Sequence, residues 1–458
     1  MQKKILAIVV VVIIAIAAVA AWQLVPQQAS TDARDIKIGL VAPLSTSIGQ
    51  DMSNAAQMAV KEINDAGGVY VAEWNTKVNI TIVTADTIDD APGNAVSQVT
   101  RAVETDNVDM LIGGYGSAGT LANEKVAIDN RVPYIITGAS NQLVTRRGPQ
   151  GDYGGFGANG PNSISDTEGM SYIFHYCTTT YHYSKTVVDF FAEEMKPLVA
   201  ADRNFSLAIL YRNDAFGQGV EQATKYWIQE EDLPITLVAD RAYEAGTSNF
   251  QTDLTAVKAT NPDAVFIVDN PDKCPLAIKQ AWEEVGLKTV FIAVENNQDS
   301  AFYSLLGQTG AGQLLESKLD PFMSPSYLPL VGEYSEKFQS TYDKVPGMMG
   351  ADTYDAFYIA KDAIERAGSI DKAAVRTAIE NTNMDQMLIM TQTGKIQFST
   401  GVDYHEIDPV TFVEQLQWDS HASELKSVIV WPASAGGVNL KQADFALPTG
   451  YVAGGPGH

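Results

Sequence analysis

DMLIGGYGSAGTLANEKVAIDNRVPYIITGAS, residues 109–140, reads as strand, tight turn, helix, strand and small-residue turn. Val108 to Ile112 is a short apolar run, suited to a buried parallel strand. Gly113, Gly114 and Gly116 punctuate it, and Ser117 and Thr120 place hydroxyls where a helix begins. The helix is expected over Leu121 to Asp129, and Arg131-Val132-Pro133 resets the chain. Tyr134 to Thr137 forms the next strand and empties into Gly138-Ala139-Ser140-Asn141. In a parallel sheet both turns lie at the carboxyl ends of neighbouring strands, where open α/β sheets bind ligands. The N-terminus of the intervening helix turns its backbone N–H groups toward that crevice and attracts an anion. With Ser117 and Ser140 adding hydroxyls, the expected ligand group is a small carboxylate.

Gly114 to Gly119 also satisfies G-x-G-x-x-G, the dinucleotide fingerprint. That motif needs an acid at the end of the following strand to hold a ribose, and here the strand ends Ile136-Thr137-Gly138. A second match, Gly155 to Gly160, has no strand before it. Neither is read as a nucleotide site, and no cofactor is expected.

The chain has 458 residues, too long for one core and suited to two α/β lobes. A formal net charge of -24 and a pI near 4.5 argue against nucleic acid or an anionic membrane surface as partners. Cys177 and Cys274 are the only cysteines, and no CxxC, CxxH or HExxH spacing occurs, so no metal site is expected. Lys3-Lys4 followed by the apolar run Ile5 to Ala21 has the form of a secretory signal, and the run is nearly long enough to span a bilayer. The remainder is expected outside the cytoplasm, periplasmic or at the cell surface, with residues 5–21 as the alternative anchor. In that oxidising setting a Cys177–Cys274 disulfide is favoured, with two free buried thiols as the alternative.

Upstream, Ile36 to Leu40 is a strand, Asp51 to Ala66 an amphipathic helix ended by Gly67-Gly68, and Val78 to Ala85 a second strand. Another helix starts near Asp89 to Pro92, giving a βαβαβαβ series and a parallel sheet. Arg146 to Met170, rich in Gly, Asn, Asp and Ser, reads as a surface insertion. From Lys185 to Val294 helices and strands alternate again, ending at Glu295. Pro321, Pro325 and Pro329 mark a crossing back, three helices follow to Asn381, and late strands fall at Thr411 to Trp418 and Ser427 to Trp431. The Gly-rich tail after Pro432 is expected to pack loosely.

The opening IKIGLVAPLSTSIGQDMSNAAQMAVKEINDAGG resembles that of the type I periplasmic binding proteins, above all the branched-chain amino-acid binding proteins of ABC importers. VDMLIGGYGSAGTLA, VPYIITGAS, LAILYRNDAFGQGVEQA, PDAVFIVDN, AIKQAWEEVGLK and YDAFYIAKDAIERAG extend the resemblance, in order, over residues 36 to 430. It implies two Rossmann-like lobes joined by three crossings, with the ligand cleft between them. On that basis residues 1–35 are leader or anchor plus tether, 36–173 and 319–426 form the first lobe, and 174–318 and 427–458 the second. It also implies that Ser117, with Tyr115 beside it, and Gly138, Ala139 and Ser140 hold a ligand carboxylate, that Phe216 packs on the ligand, and that Glu295 pairs with an α-ammonium. Residues alone place Glu295 at the second lobe's crevice as well, because it ends a strand there. Asp269, in a loop where many amino-acid binders carry a Tyr, adds an acid. The implied protein is a monomeric, non-enzymatic receptor that closes on an amino acid or similar zwitterion and hands it to a membrane permease. A ligand-sensing component of the same fold is the alternative.

Overall fold

The computed structural model describes residues 32–88, 91–147, 164–320, 329–401 and 404–455. The expected leader and tether before residue 32, most of the Arg146 to Met170 insertion and the proline-marked crossing at Pro321 and Pro325 lie outside them. Among the described residues no helix is long and apolar enough to cross a membrane.

Two sheets organise the chain. The first contains β1 (Ile36–Ala42), β2 (Ile80–Asp86), β3 (Met110–Gly113), β4 (Tyr134–Ile136) and β5 (Ile173–His175), in the order β2-β1-β3-β4-β5. All its pairings are parallel. Its strands β3, β4 and β5 are short and fully buried because helices cover both sides, whereas the edge strand β2 is partly exposed. One cover is α1 (Ser47–Asp65), started by Thr46, whose hydroxyl accepts from Gly49 N at 3.0 Å. Met52, Ala55, Ala56, Ala59 and Ile63 fall at helical spacing and are all buried. The alanines let a later helix, Met348–Ala367, lie close along α1. Asp51 on α1 accepts from Gly347 N at 3.1 Å and Gly350 N at 2.9 Å, so it caps that later helix. Burial pushes the Asp51 carboxyl up to about 8.

The second sheet holds β6 (Phe205–Arg212), β7 (Ile235–Tyr243), β8 (Ala264–Val268), β9 (Val290–Ala293), β10 (Leu314–Ser317), β11 (Phe412–Asp419) and β12 (Glu424–Trp431). Its order is β12-β11-β10-β9-β8-β6-β7, with β11 antiparallel to both its neighbours, β10 and β12, and the other pairings parallel. The chain crosses between lobes three times: after β5, after β10, and between Ile407, packed in the first core, and Phe412. The last crossing therefore precedes β11, whereas the sequence boundary put residues up to 426 in the first lobe. Apolar patterning identified β11 as a strand, but its partner is set by pairing of Phe412 with Ser317, which no local signal encodes.

Two further expectations are corrected. The tail packs: Leu440 and Phe445 are buried, Val452 N donates to Lys288 O at 2.8 Å, and Arg203 Nη2 donates to Gly454 O at 2.8 Å. Its apolar residues, sparse among the glycines, still reach the second core. The cysteines are not bridged. Cys177 Sγ donates to Ala139 O at 3.4 Å and Cys274 Sγ to Asp269 O at 3.4 Å, so each thiol is engaged at a different strand end. Burial raises both thiols well above their ordinary pKa.

The crossing after β10 carries Lys318 into the seam between the lobes. Its Nζ lies 3.0 Å from Oδ2 of Asp352 on the Met348–Ala367 helix, with both side chains fully buried. Glu295 and Glu316 are buried there too. Burial raises all three acids, and Lys318 opposes the rise in each. Burial works against the Lys318 ammonium as well, but the surrounding carboxylates outweigh it and keep it protonated.

Candidate functional site

The two turns singled out by sequence meet. Gly113 and Gly114 take φ of +119° and +80°. A Cβ on Gly113 would stand 2.1 Å from Val41 O, so only glycine fits this exit from β3. The chain then enters α2 (Ser117–Asp129), whose N-cap is Gly116, a residue with no side chain to cap the first turn. Ser117 Oγ accepts from Asn141 N at 3.2 Å, which ties this turn to the one leaving β4. Because that oxygen accepts, the hydroxyl proton remains for a ligand. Ser140 Oγ donates to Gly138 O at 3.2 Å. Behind them His175 Nε2 lies 2.6 Å from Ala139 O; a carbonyl only accepts, so this nitrogen carries the proton. Burial lowers the His175 pKa to about 3 and keeps the ring neutral.

The opposite wall comes from the second lobe. Arg212 ends β6, and Phe216 sits in the first turn of α3 (Ala215–Glu230). Asn270 follows β8, Asn296 follows β9, and Met349 enters from the returning helix. These five residues, with Tyr115, Gly116, Ser117, Gly138 and Ser140, line a small cavity between the lobes. Arg212 Nη1 donates to Asp269 Oδ1 at 2.9 Å and Nε to Asp214 Oδ2 at 2.6 Å. Burial disfavours its charge, yet Asp269 and Asp214 outweigh that and raise its pKa. Phe216 packs edge-on against Tyr183, with ring centroids 6.4 Å apart.

The lobes are closed on this cavity. Tyr115 OH donates to Asn270 Oδ1 at 2.7 Å and accepts from Asn296 Nδ2 at 3.3 Å. Asn141 Nδ2 donates to Ala215 O at 2.6 Å. Each bond joins the first lobe to the second.

Of the residues singled out in the sequence, Tyr115, Ser117, Gly138, Ser140 and Phe216 line the cavity. Ala139, Glu295 and Asp269 do not. Ala139 is buried with its carbonyl turned to His175. Glu295 is fully buried in the seam, where its Oε1 accepts from Tyr183 OH at 2.8 Å. Asp269 accepts from Tyr243 OH at 2.8 Å and from Arg212, so it orients the guanidinium instead of facing a ligand. Burial raises both acids. Gly116, Arg212, Asn270, Asn296 and Met349 were missed. Arg212 and the two asparagines stand at carboxyl ends of β6, β8 and β9, so position alone flags them; nothing in the sequence points to Met349. Among the described residues no group of His, Cys, Asp or Glu is arranged to hold a metal ion.

Two parallel-sheet lobes, three crossings and a cavity at the strand ends define a two-lobed binding fold. The chain matches the family described as periplasmic binding protein over residues 35–417, and it belongs to that family. It is 22% identical over 380 residues to Leu/Ile/Val-binding protein homolog 7 of Brucella abortus (strain 2308), covering 80% of this chain and 86% of that one. It superposes on the branched-chain amino-acid transporter substrate-binding protein LivJ of Streptococcus pneumoniae, solved with isoleucine, with a TM-score of 0.67 and 18% identity over 86% of this chain and 100% of that one. A solute-binding protein of an ABC transporter from R. palustris, solved with benzoate, gives 0.68 and 17% over 88% and 97%.

Proposed function

We propose that this protein is the extracytoplasmic solute-binding component of an ABC importer and that it closes on a small carboxylate of branched-chain amino-acid size. The observation that carries the reading is convergence. Two hydroxyl-bearing turns at a helix N-terminus on one lobe face a guanidinium on the other, across a cavity latched by Tyr115. Such a site binds and orients a ligand, and no bond is made or broken. The ligand makes contacts with both lobes only in the closed form, so its binding shifts the hinge toward closure. Relatives solved with isoleucine and with benzoate support a carboxylate ligand. Presentation to a permease in the membrane follows from the family's architecture, and the uncleaved or cleaved state of residues 5–21 sets whether the receptor is tethered.

The test is calorimetry on Ser117→Ala, Ser140→Ala. Ser117 loses a hydrogen bond to a charged group, worth about 1.5–3 kcal/mol, and Ser140 loses its tie to Gly138 O, so affinity is expected to fall at least about tenfold. Unchanged affinity would sink the site assignment. Ligand-dependent stimulation of permease ATPase activity separates a transport receptor from a sensor of the same fold.

A further inference from the structure

Charge around the cavity is one-sided. Among the described residues lining it, Arg212 is the one ionised side chain. Each nearby acid is engaged elsewhere. Asp214 accepts from Gly217 N at 2.9 Å to cap α3 and also holds Arg212. Asp269 accepts from Tyr243, Asn270 N and Arg212. Glu295 stands behind the wall beside Tyr183 and Lys318, and its neighbour Asn296 faces the cavity in its place.

The anion end is well supplied. Arg212 has five N–H bonds; three lie toward Asp214 and Asp269, and two remain to serve a ligand. The Ser117 hydroxyl and the N-terminus of α2 add donors from the facing lobe. An ammonium finds nothing equivalent. The polar groups left for it are neutral amides, Asn270 and Asn296, already engaged with Tyr115 and Asn297. Taking an ammonium out of water without a facing carboxylate is unfavourable. Phe216, Met349 and the Tyr115 ring supply apolar surface for the body of a ligand.

We infer that the cavity selects a small monocarboxylate with an apolar or aromatic body and no ammonium group, and rejects the matching α-amino acid. This rests on the reading of the cavity as the ligand site. Asn270 Nδ2, which lies outside those bonds, is a donor that suits a ligand hydroxyl or carbonyl oxygen and not an ammonium, so a hydroxylated or oxo acid is accommodated as well as a simple one.

Calorimetric titration of the full-length chain with 4-methylpentanoate and leucine tests the point, because the two share a skeleton and differ by the ammonium; benzoate is the aromatic probe. The des-amino acid or benzoate is expected to bind at least about tenfold tighter than leucine. Arg212→Gln is expected to abolish acid binding, while Glu295→Gln leaves it within about twofold. A circular-dichroism melt of each variant confirms that it is folded. Leucine binding as tight as or tighter than 4-methylpentanoate, or loss of binding in folded Glu295→Gln, overturns the inference and leaves the solute-binding reading standing. Failure of all three probes to bind folded wild-type protein overturns both.

Discussion

Replacing Lys318 by Met removes the ammonium from the buried seam and keeps a stem of similar size. In the wild type its ammonium, 3.0 Å from Asp352, opposes the burial that disfavours charge on Asp352, Glu295 and Glu316. Without it, burial favours the neutral form of all three acids, and the folded cluster is expected to take up one more proton. The unfolded chain ionises these acids above a pH of about 4. The folded variant then binds more protons than its unfolded state, and its stability falls as pH rises. The slope is about 1.4 kcal/mol per pH unit steeper than in the wild type. From pH 4 to pH 7 this amounts to about 4 kcal/mol, within the ~3–5 kcal/mol lost when a buried pair is broken. At pH 5 the same arithmetic leaves ~1–2 kcal/mol. Urea unfolding of both proteins at pH 5, 6 and 7, followed by tryptophan fluorescence, reads the difference. Parallel pH profiles, or a loss below about 1 kcal/mol at pH 7, would refute the view that Lys318 neutralises a buried acid cluster.

Tyr115→Phe removes the hydroxyl that bridges the lobes and is expected to weaken ligand binding about fivefold, from a net hydrogen-bond contribution of ~1 kcal/mol, with unfolding unchanged; equal affinity by calorimetry would count against the latch. Asp51→Asn tests the acid that caps the returning helix. Its folded pKa near 8 means that the folded state binds the extra proton between about pH 4 and pH 8, so wild-type stability falls across that window. The variant, lacking that titration, is expected to gain ~2–3 kcal/mol on the wild type between pH 5 and pH 7, measured by urea midpoints; a constant difference would show the carboxyl to be ionised when folded. Gly113→Ala puts a methyl 2.1 Å from Val41 O at positive φ, and a lowered melting temperature with weakened binding is expected, where an unchanged melt would contradict the requirement for glycine.

Local chemistry made much of this legible. Strands such as Met110–Gly113 announce themselves by an apolar run closed by glycines, and the Ser117 and Ser140 turns follow from where parallel strands end. What the sequence left out is depth and distance. Glu295 ends its strand as expected, but whether a side chain there turns into a cavity or away from it depends on Tyr183, 112 positions earlier in the chain. Arg212 was visible as a charged residue at a strand end, yet its role depends on Asp269, fixed only once β6 and β8 pair. Partner choice for β11 and the entry of Met349 depend on contacts between segments far apart in the chain, which periodicity does not report.

The two solitary sulfhydryls have a practical bearing. Thiolate, not thiol, reacts with maleimide, and both Cys177 and Cys274 are enclosed and held protonated. Native protein should therefore stay dark to such reagents without any cysteine being removed. Fresh cysteines at exposed Tyr70 on one half and Leu198 on the other would accept a dye pair cleanly, so that the opening and shutting of single molecules can be watched in otherwise unaltered chain.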